Sequence, residues 1–358
     1  MVKRNRSKSA RLVVCTWPGV GQEYILQFCE SLRLAEVEIK RVENPWNALF
    51  LKLDIFHIHW PEKIIWDGSL PLKMFRAVAT IVSLIILKSR GVLLVWCVHN
   101  YQPHDASRHL LFFWRFYISI ISSLVDGFIT LSPSTVEIVR QKLQKLAKKP
   151  GTFVWHPVYR VPGRISEIGE TRHKNGLAER DILLCSFGFQ KRYKGTDELV
   201  SCFLNIKNPK FFLGIVGVAD HDTSIWLNGI AKDNHQIILD LKWLPERELF
   251  EFVSASDVVV LPFKSILHSG SLIYALSCGK PVITPATAYA LDLQRMLGRK
   301  WVRTYAPPLS AELLIRLSGK QLGNPNLGFL SLADGGRKLK YFYECLQETR
   351  QSVISKQS

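Results

Sequence analysis

Residues 258–285 read VVVLPFKSILHSGSLIYALSCGKPVITP. Two short apolar runs, 258–261 and 281–284, bracket a segment of helical length made of small and aliphatic residues and opened by Ser269, Gly270 and Ser271. Short apolar runs rich in β-branched residues read as buried strands. A strand, a helix and a second strand in succession imply a parallel crossover inside a sheet covered on both faces.

The same alternation extends through most of the chain. Strand candidates fall at 12–16, 55–59, 92–98, 128–131 and 153–156, then at 182–187, 211–216 and 237–241, with connections mostly of helical length. Ser132 followed by Pro133 supplies an N-cap and a first-turn proline for one helix, and Pro245-Glu246 opens another. Glycines, charges and prolines gather at 159–181, where hydrophobic periodicity vanishes, and this stretch reads as a linker. With 358 residues the chain suits two domains of roughly 150 to 180 residues better than one core. The expected organisation is a first domain at 1–158, a linker at 159–181, a second domain at 182–325, and a segment at 326–358 whose helical pattern, clearest at 339–346, suits packing back on the first domain.

Apolar residues make up 47% of the chain and charged residues 22%, the balance of a globular protein. Lys and Arg outnumber Asp and Glu by 47 to 30, and a net charge of +17 favours anionic partners. The basic residues are spread out, with denser runs at 3–11, 141–149 and 191–194 and no recognisable reader module, so nucleic acid is not the expected partner. Seven cysteines, an odd number with no C-x-x-C pair, fit a reducing compartment. The apolar stretch after the basic start is cut by Pro18 and Gly19, too early for a signal sequence, and a cytoplasmic location is expected. Segments 77–87 and 110–124, the latter LLFFWRFYISIISSL, fall short of the roughly 18 to 20 apolar residues needed to span a bilayer. They read either as core helices or, for the second, as a helix lying in a membrane interface.

Ligands of parallel α/β sheets bind where loops leave the carboxyl ends of strands. Four such exits are polar. WPGVGQE at 17–23 has two glycines that let backbone approach a ligand, but it is not G-x-G-x-x-G, so it is either a plain turn or an acceptor-side loop. DIFHIHWPE at 54–62 puts His57 and His59 on one strand face, with Trp60 and Glu62 beyond. The pair is either a structural histidine couple or part of a site whose Glu62 is a general base; a zinc site would need a further ligand, and no metal is expected. VHNYQPHD at 98–105 collects His99, Asn100, His104 and Asp105, groups that hydrogen-bond sugars and phosphate or exchange protons. The fourth is split. SFGFQKRYKG at 186–195 sets Lys191, Arg192 and Lys194 ahead of a helix, and Ser269, Gly270 and Ser271 begin another with free N–H groups, together a seat for phosphate.

In series, these motifs resemble the GT-B fold of nucleotide-sugar glycosyltransferases. More narrowly, DIFHIHWPE, HNYQPHD, FGFQKRYKG and LPFKSILHSGSLIYALSCGKPVITP are similar to the xanthan-type GDP-mannose:glycolipid β-1,4-mannosyltransferases of exopolysaccharide assembly, in the same order across residues 50–290. The resemblance implies an α/β architecture of two facing Rossmann-like, doubly wound domains with a cleft between them and a C-terminal helix packing back on the first. It implies that Arg192 and Lys194 neutralise the donor diphosphate, that Ser269, Gly270 and Ser271 cradle it with Tyr274 on the same helix, and that Trp243, in the loop 242–245, approaches the base. From the first domain Glu62, His99, Asn100, His104 and Asp105 would face the donor, with Glu62, Asp105 or His104 as the base, and Gly21, His59, Trp60 and Asn100 would meet the acceptor. Retaining families of this fold carry two glutamates as E-x7-E, where this chain has Ile266 and Tyr274, and Asp105 stands where glutamate is usual. The expectation is therefore an inverting hexosyltransferase with no cofactor or metal. It takes mannose from GDP-mannose to a saccharide or polyprenyl-diphosphate-linked acceptor, in contact with the inner face of the plasma membrane through 110–124. A catalytically silent nucleotide-binding protein of this fold, or a basic nucleic-acid-associated protein, would instead bind without turnover or with strong salt dependence.

Overall fold

A computed structural model describes residues 11–19, 21, 23–65, 68–101, 108–162, 168–191, 194–264, 266–321 and 323–357. The chain divides into two compact units, Met1–Pro157 with Phe329–Ser358, and Val158–Gly328.

Unit 1 runs β1 (Val13–Trp17), α1 (Glu23–Leu34), β2 (Glu38–Arg41), a 3-10 turn Pro45–Phe50, β3 (Ile55–Ile58), a 3-10 turn Pro61–Ile65, α2 (Leu70–Ser89), β4 (Leu93–Cys97), α3 (Arg108–Leu124), β5 (Gly127–Thr130), α4 (Pro133–Lys142) and β6 (Gly151–Phe153). The strands form one parallel sheet in the order β2-β1-β3-β4-β5-β6. Steps from β3 to β6 all go one way and the step from β1 to β2 goes the other. Right-handed crossovers therefore put α2, α3 and α4 on one face and α1 on the opposite one.

Unit 2 runs α5 (Ile168–Lys174), β7 (Ile182–Phe187), α6 (Thr196–Leu204), β8 (Phe211–Val216), α7 (His221–Lys232), β9 (Ile237–Asp240), α8 (Glu246–Ala255), β10 (Val258–Val260), α9 (Gly270–Ser277), β11 (Val282–Pro285), α10 (Ala288–Leu297), β12 (Val302–Tyr305) and α11 (Ala311–Leu317). Its parallel sheet has the order β12-β11-β10-β7-β8-β9. Counted from β7, this is the 3-2-1-4-5-6 order of a doubly wound nucleotide-binding sheet. The core lies between sheet and helices, with Leu184, Leu213, Ile215, Val258 and Ile283 buried in it.

The final helix, α12 (Leu332–Gln357), belongs to unit 1 and packs on α1. A Cβ on Gly336 would lie 1.8 Å from the Ser31 carbonyl oxygen, so glycine is what permits this approach. Leu339, Phe342, Tyr343 and Leu346 bury the inward face of α12.

The architecture is the expected pair of doubly wound α/β sheets. Two strands lay outside the sequence reading, β2 (EIKR) and β12 (VRTY). Both are edge strands, paired on one side only, and need no continuous apolar run. Within the expected linker, 168–181 holds the helix α5 and is fastened in place. Arg172 on α5 pairs with Asp257 at 3.2 Å and donates to the carbonyls of Ala255 at 2.9 Å and Asp181 at 2.8 Å, fastening the segment to unit 2. Segment 77–87 lies within the 20-residue α2.

Candidate functional site

In each unit the strand order reverses once, between β1 and β3 in unit 1 and between β7 and β10 in unit 2. Ligands of open α/β sheets sit beyond the strand ends at that reversal. The loops leaving these four strands carry the polar motifs at 17–23, 54–62, 186–195 and 262–271, and the motif at 98–105 leaves β4, next to β3.

In unit 1, the β1 exit contains Gly19, whose N–H donates to the Val42 carbonyl at 2.8 Å and whose missing Cβ would meet Arg41 and Val42 at 2.8 Å. Gly21 follows with φ +100 and nothing within 4 Å of where a Cβ would stand, the open point of the loop. At the β3 exit, His59 donates its backbone N–H to Trp17 O at 2.9 Å, and the chain turns through Pro61 into a 3-10 turn that brings Glu62 inward. Glu62 is buried, and burial pushes its carboxyl up to about 7, against the opposing pull of its own backbone N–H and of the Asn100 side-chain amide that donate to it.

Beside this carboxyl is an aromatic and imidazole cluster. Trp60 stacks on His99 at 4.1 Å and 20°, and Tyr24 meets His99 edge-on at 4.8 Å. His59 Nδ1 and His99 Nε2 share a hydrogen bond of 3.2 Å, and His57 Nδ1 and the Tyr343 hydroxyl share one of 2.5 Å. Burial holds His57 down to about 3 and His59 well below the usual histidine range, so both are neutral. His59, expected at the acceptor, is fully buried and instead positions His99. Trp60 is buried as well, through its stack on the same ring. His57, His59 and Cys97 offer ligand atoms within 4.8 Å of one another, and among the described residues they are the ones that could hold a metal ion. His104 and Asp105 lie outside the described residues.

Tyr24 and His156 join this cluster without having been singled out in the sequence; their rings lie 5.0 Å apart, and the Tyr24 hydroxyl lies 3.6 Å from Cys97 Sγ. Tyr24 opens α1 just past the glycine loop, which is the one signal pointing to it. His156 follows an edge strand with no motif around it.

In unit 2, the β7 exit is shaped by glycines. Gly195, at φ +76, caps α6, and a Cβ on it would lie 2.1 Å from the Pro262 carbonyl oxygen, so the β7 and β10 exits touch there. Gln190, buried, ties the loop down by accepting from Thr196 Oγ1 at 2.9 Å and donating to Val216 O at 3.2 Å. Lys194 Nζ and Ser271 Oγ both come within 3.8 Å of the Cβ position of Gly188, which brings the lysine and the start of α9 beside the same backbone. Burial, and next the charge of Lys191, lowers the Lys194 ammonium to about 8. Such a cation is short of a counter-charge, and an anion supplies one.

Ser269 is the N-cap of α9, and its hydroxyl accepts from the Leu272 N–H at 3.1 Å. Its side chain is thereby committed, and the N–H groups of Gly270 and Ser271 are left as the donors of this helix start. Tyr274, expected at the donor, is buried against Phe187 at 5.5 Å and Tyr159 at 5.4 Å, a packing position under α9. Trp243, between β9 and α8, is 73% exposed and free to stack. Arg192 lies outside the described residues.

No family model matches the chain. Two curated proteins of Xanthomonas campestris pv. campestris, each a GDP-mannose:glycolipid 4-beta-D-mannosyltransferase, are 27% identical to it over 272 residues, covering 75% of this chain and 71% of theirs. Among solved structures, Anabaena HepE in complex with UDP-glucose matches with a TM-score of 0.60 at 12% identity, over 95% of this chain and 99% of that one. A glycosyltransferase of Rickettsia africae matches at 0.62 and 11% identity, over 94% and 98%. WaaG, a glycosyltransferase involved in lipopolysaccharide biosynthesis, matches at 0.56 and 14% identity, over 94% and 98%. The fold is GT-B, and the chain is a glycosyltransferase of the hexosyltransferase class that uses a nucleotide-sugar donor. Within that class its sequence similarity is to the Xanthomonas mannosyltransferases.

Proposed function

We propose that the chain transfers mannose from GDP-mannose, with inversion, to the saccharide of a lipid-linked acceptor during polysaccharide assembly at the inner face of the plasma membrane. The donor and acceptor classes are drawn from the Xanthomonas relatives. The observation that carries the chemistry is Glu62, a buried carboxyl at a strand exit, held near 7 and oriented by Asn100. A group with that affinity for a proton is matched to deprotonating a hydroxyl at neutral pH.

In this reading the proton of the acceptor hydroxyl passes to Glu62 as its oxygen attacks the anomeric carbon, and the bond to the diphosphate breaks on the opposite side of that carbon. Arg192, Lys194 and the N–H groups of Gly270 and Ser271 receive the charge of the departing diphosphate, the electrostatic contribution expected to be largest. Gly21 and Asn100 lie on the acceptor side, His99 orients the acceptor, and Trp243 stacks on the base. No metal takes part in the proposed step.

The test is isothermal titration with GDP, UDP, GDP-mannose and UDP-glucose, run alongside an Arg192→Ala, Lys194→Ala variant. The expected result is selective binding of the guanosine ligands, lost in the variant. Tight binding of UDP alone would overturn the donor, and binding unaffected in the variant would overturn the phosphate site. Proton NMR of the product, with a β-mannoside expected from the α-linked donor, tests the stereochemistry.

A further inference from the structure

β3 and its exit set His57 and His59 two positions apart, so both rings project from one face of the strand. They stack at 4.6 Å and 19°. β4 lies alongside with Trp96 opposite Ile58, and the next position along puts Cys97 beside His59 on that face. All three side chains are closed off from solvent. Sequence alone left the two histidines short of a further ligand, and the sheet supplies one from the neighbouring strand.

Each histidine uses one ring nitrogen and leaves the other. His57 Nδ1 meets the Tyr343 hydroxyl at 2.5 Å and His59 Nδ1 meets His99 Nε2 at 3.2 Å, while neither ring's own Nε2 has a hydrogen-bond partner. Folded proteins pair nearly all buried polar atoms, so two such nitrogens on neighbouring rings call for an occupant. A metal-bound histidine has this pattern, one nitrogen on the ion and the other N–H donated to a neighbour that fixes ring and tautomer. Cys97 has matching support, with the Tyr24 hydroxyl 3.6 Å from its Sγ. The three residues offer ligand atoms within 4.8 Å of one another, so one point lies no more than about 2.8 Å from all three. Zinc takes about 2.0–2.1 Å to nitrogen and 2.3 Å to sulfur, and shifts of under about 1 Å close the difference. The cavity touched by His57, Cys97, Tyr24 and Phe28 is about 10 Å³, room for one water and for no organic ligand.

We propose that His57 Nε2, His59 Nε2 and Cys97 Sγ bind a structural zinc ion that clips β3 to β4 beneath α1 and α12, with a water in the fourth position. Imidazole and thiolate together select zinc over the harder magnesium and calcium ions. Cys97 binds as the thiolate, its proton leaves to solvent, and Tyr24 then donates to the sulfur. With both Nε2 atoms on the ion, each Nδ1 keeps its proton. His57 therefore donates to the Tyr343 oxygen and His59 to His99 Nε2, which leaves the proton of His99 on its Nδ1. The ion takes no part in the proposed transfer; it fixes the orientation and tautomer of His99. Because its ligands are shut in, it stays through dialysis of the native protein and leaves when the chain unfolds.

The experiment is plasma mass spectrometry of the full chain, expressed with zinc and desalted in chelator, beside Cys97→Ser, His57→Gln and Tyr343→Phe. The expected result is about one zinc per chain in wild type and less than about a tenth of that in the two ligand variants. Tyr343→Phe touches no ligand, yet loss of the group that holds His57 should weaken zinc affinity about 10- to 100-fold. Wild type refolded with cobalt in place of zinc keeps the test decisive even where a ligand variant fails to fold. It should show a thiolate-to-cobalt charge-transfer band and the ligand-field bands of a tetrahedral site. The proposal is overturned if folded wild type holds no zinc, if the cobalt form lacks the sulfur band, or if Cys97→Ser keeps as much zinc as wild type, which would mean an adventitious ion only. Metal content is read without donor or acceptor, so failure of the zinc site and failure of the proposed transfer are told apart.

Discussion

Glu62 can accept a proton only when it carries none. With its carboxyl near 7 through burial, kcat/KM should climb with pH up to about 7 and then level off. Glu62→Gln should lower kcat by about 10²- to 10⁴-fold and flatten that limb; a pH–rate profile checks both. Stability should move the other way. The folded carboxyl holds its proton from about 4.5 up to about 7, where the unfolded one has lost it, so stability falls as pH rises across that window. Above the window the buried charge costs roughly 3 kcal/mol, and at pH 8 Glu62→Gln should melt higher than wild type by scanning calorimetry. Lys194 gives a second check. A diphosphate beside an ammonium lowered to about 8 restores its proton, so GDP binding at pH 8 to 9 should take up protons. Titrations in two buffers of different ionisation enthalpy read that uptake, and Lys194→Ala should abolish it. At this scale the sequence was informative where site residues share one contiguous word, as His59, Trp60 and Glu62 do. Tyr24 and His156 reach the same cluster from distant segments; only its place after the glycine loop points to Tyr24, and nothing local announces His156.

Elements are decided by backbone fit. Gly195 holds a left-handed conformation against the Pro262 carbonyl, so Gly195→Ala adds roughly 1–2 kcal/mol of backbone strain to a clash that must push the β7 and β10 exits apart. The expected outcome is a melting temperature lower by several degrees and GDP affinity down by more than tenfold, read by calorimetry and titration. Ser269→Ala removes only a cap, worth about 1 kcal/mol, and should leave affinity nearer to wild type, because the amides of Gly270 and Ser271 remain. Helices and central strands were legible because burial on both faces writes a continuous apolar run. Edge strands β2 and β12 were not, since their partner strand specifies them more than their own residues do. Likewise 168–181 is fastened by the half-buried guanidinium of Arg172, which no periodicity reveals.

At the scale of the whole molecule, the proposed reaction relies on cationic side chains and helix amides where other enzymes use a divalent ion. Dialysis against a chelator should leave turnover unchanged within about twofold; a loss restored by zinc would direct attention to His57, His59 and Cys97. The pairing of Tyr343 with His57 and of Gly336 with Ser31 has a consequence for how the protein is made. The sheet of unit 1 is translated first, but the helix that seals it follows only after all of unit 2 has left the ribosome. At about 5–20 residues per second, the α1 side of that sheet stays open for roughly 10–40 s. During that interval the nascent chain presents Phe28, Leu32 and the His57 pocket uncovered, until its final turns arrive.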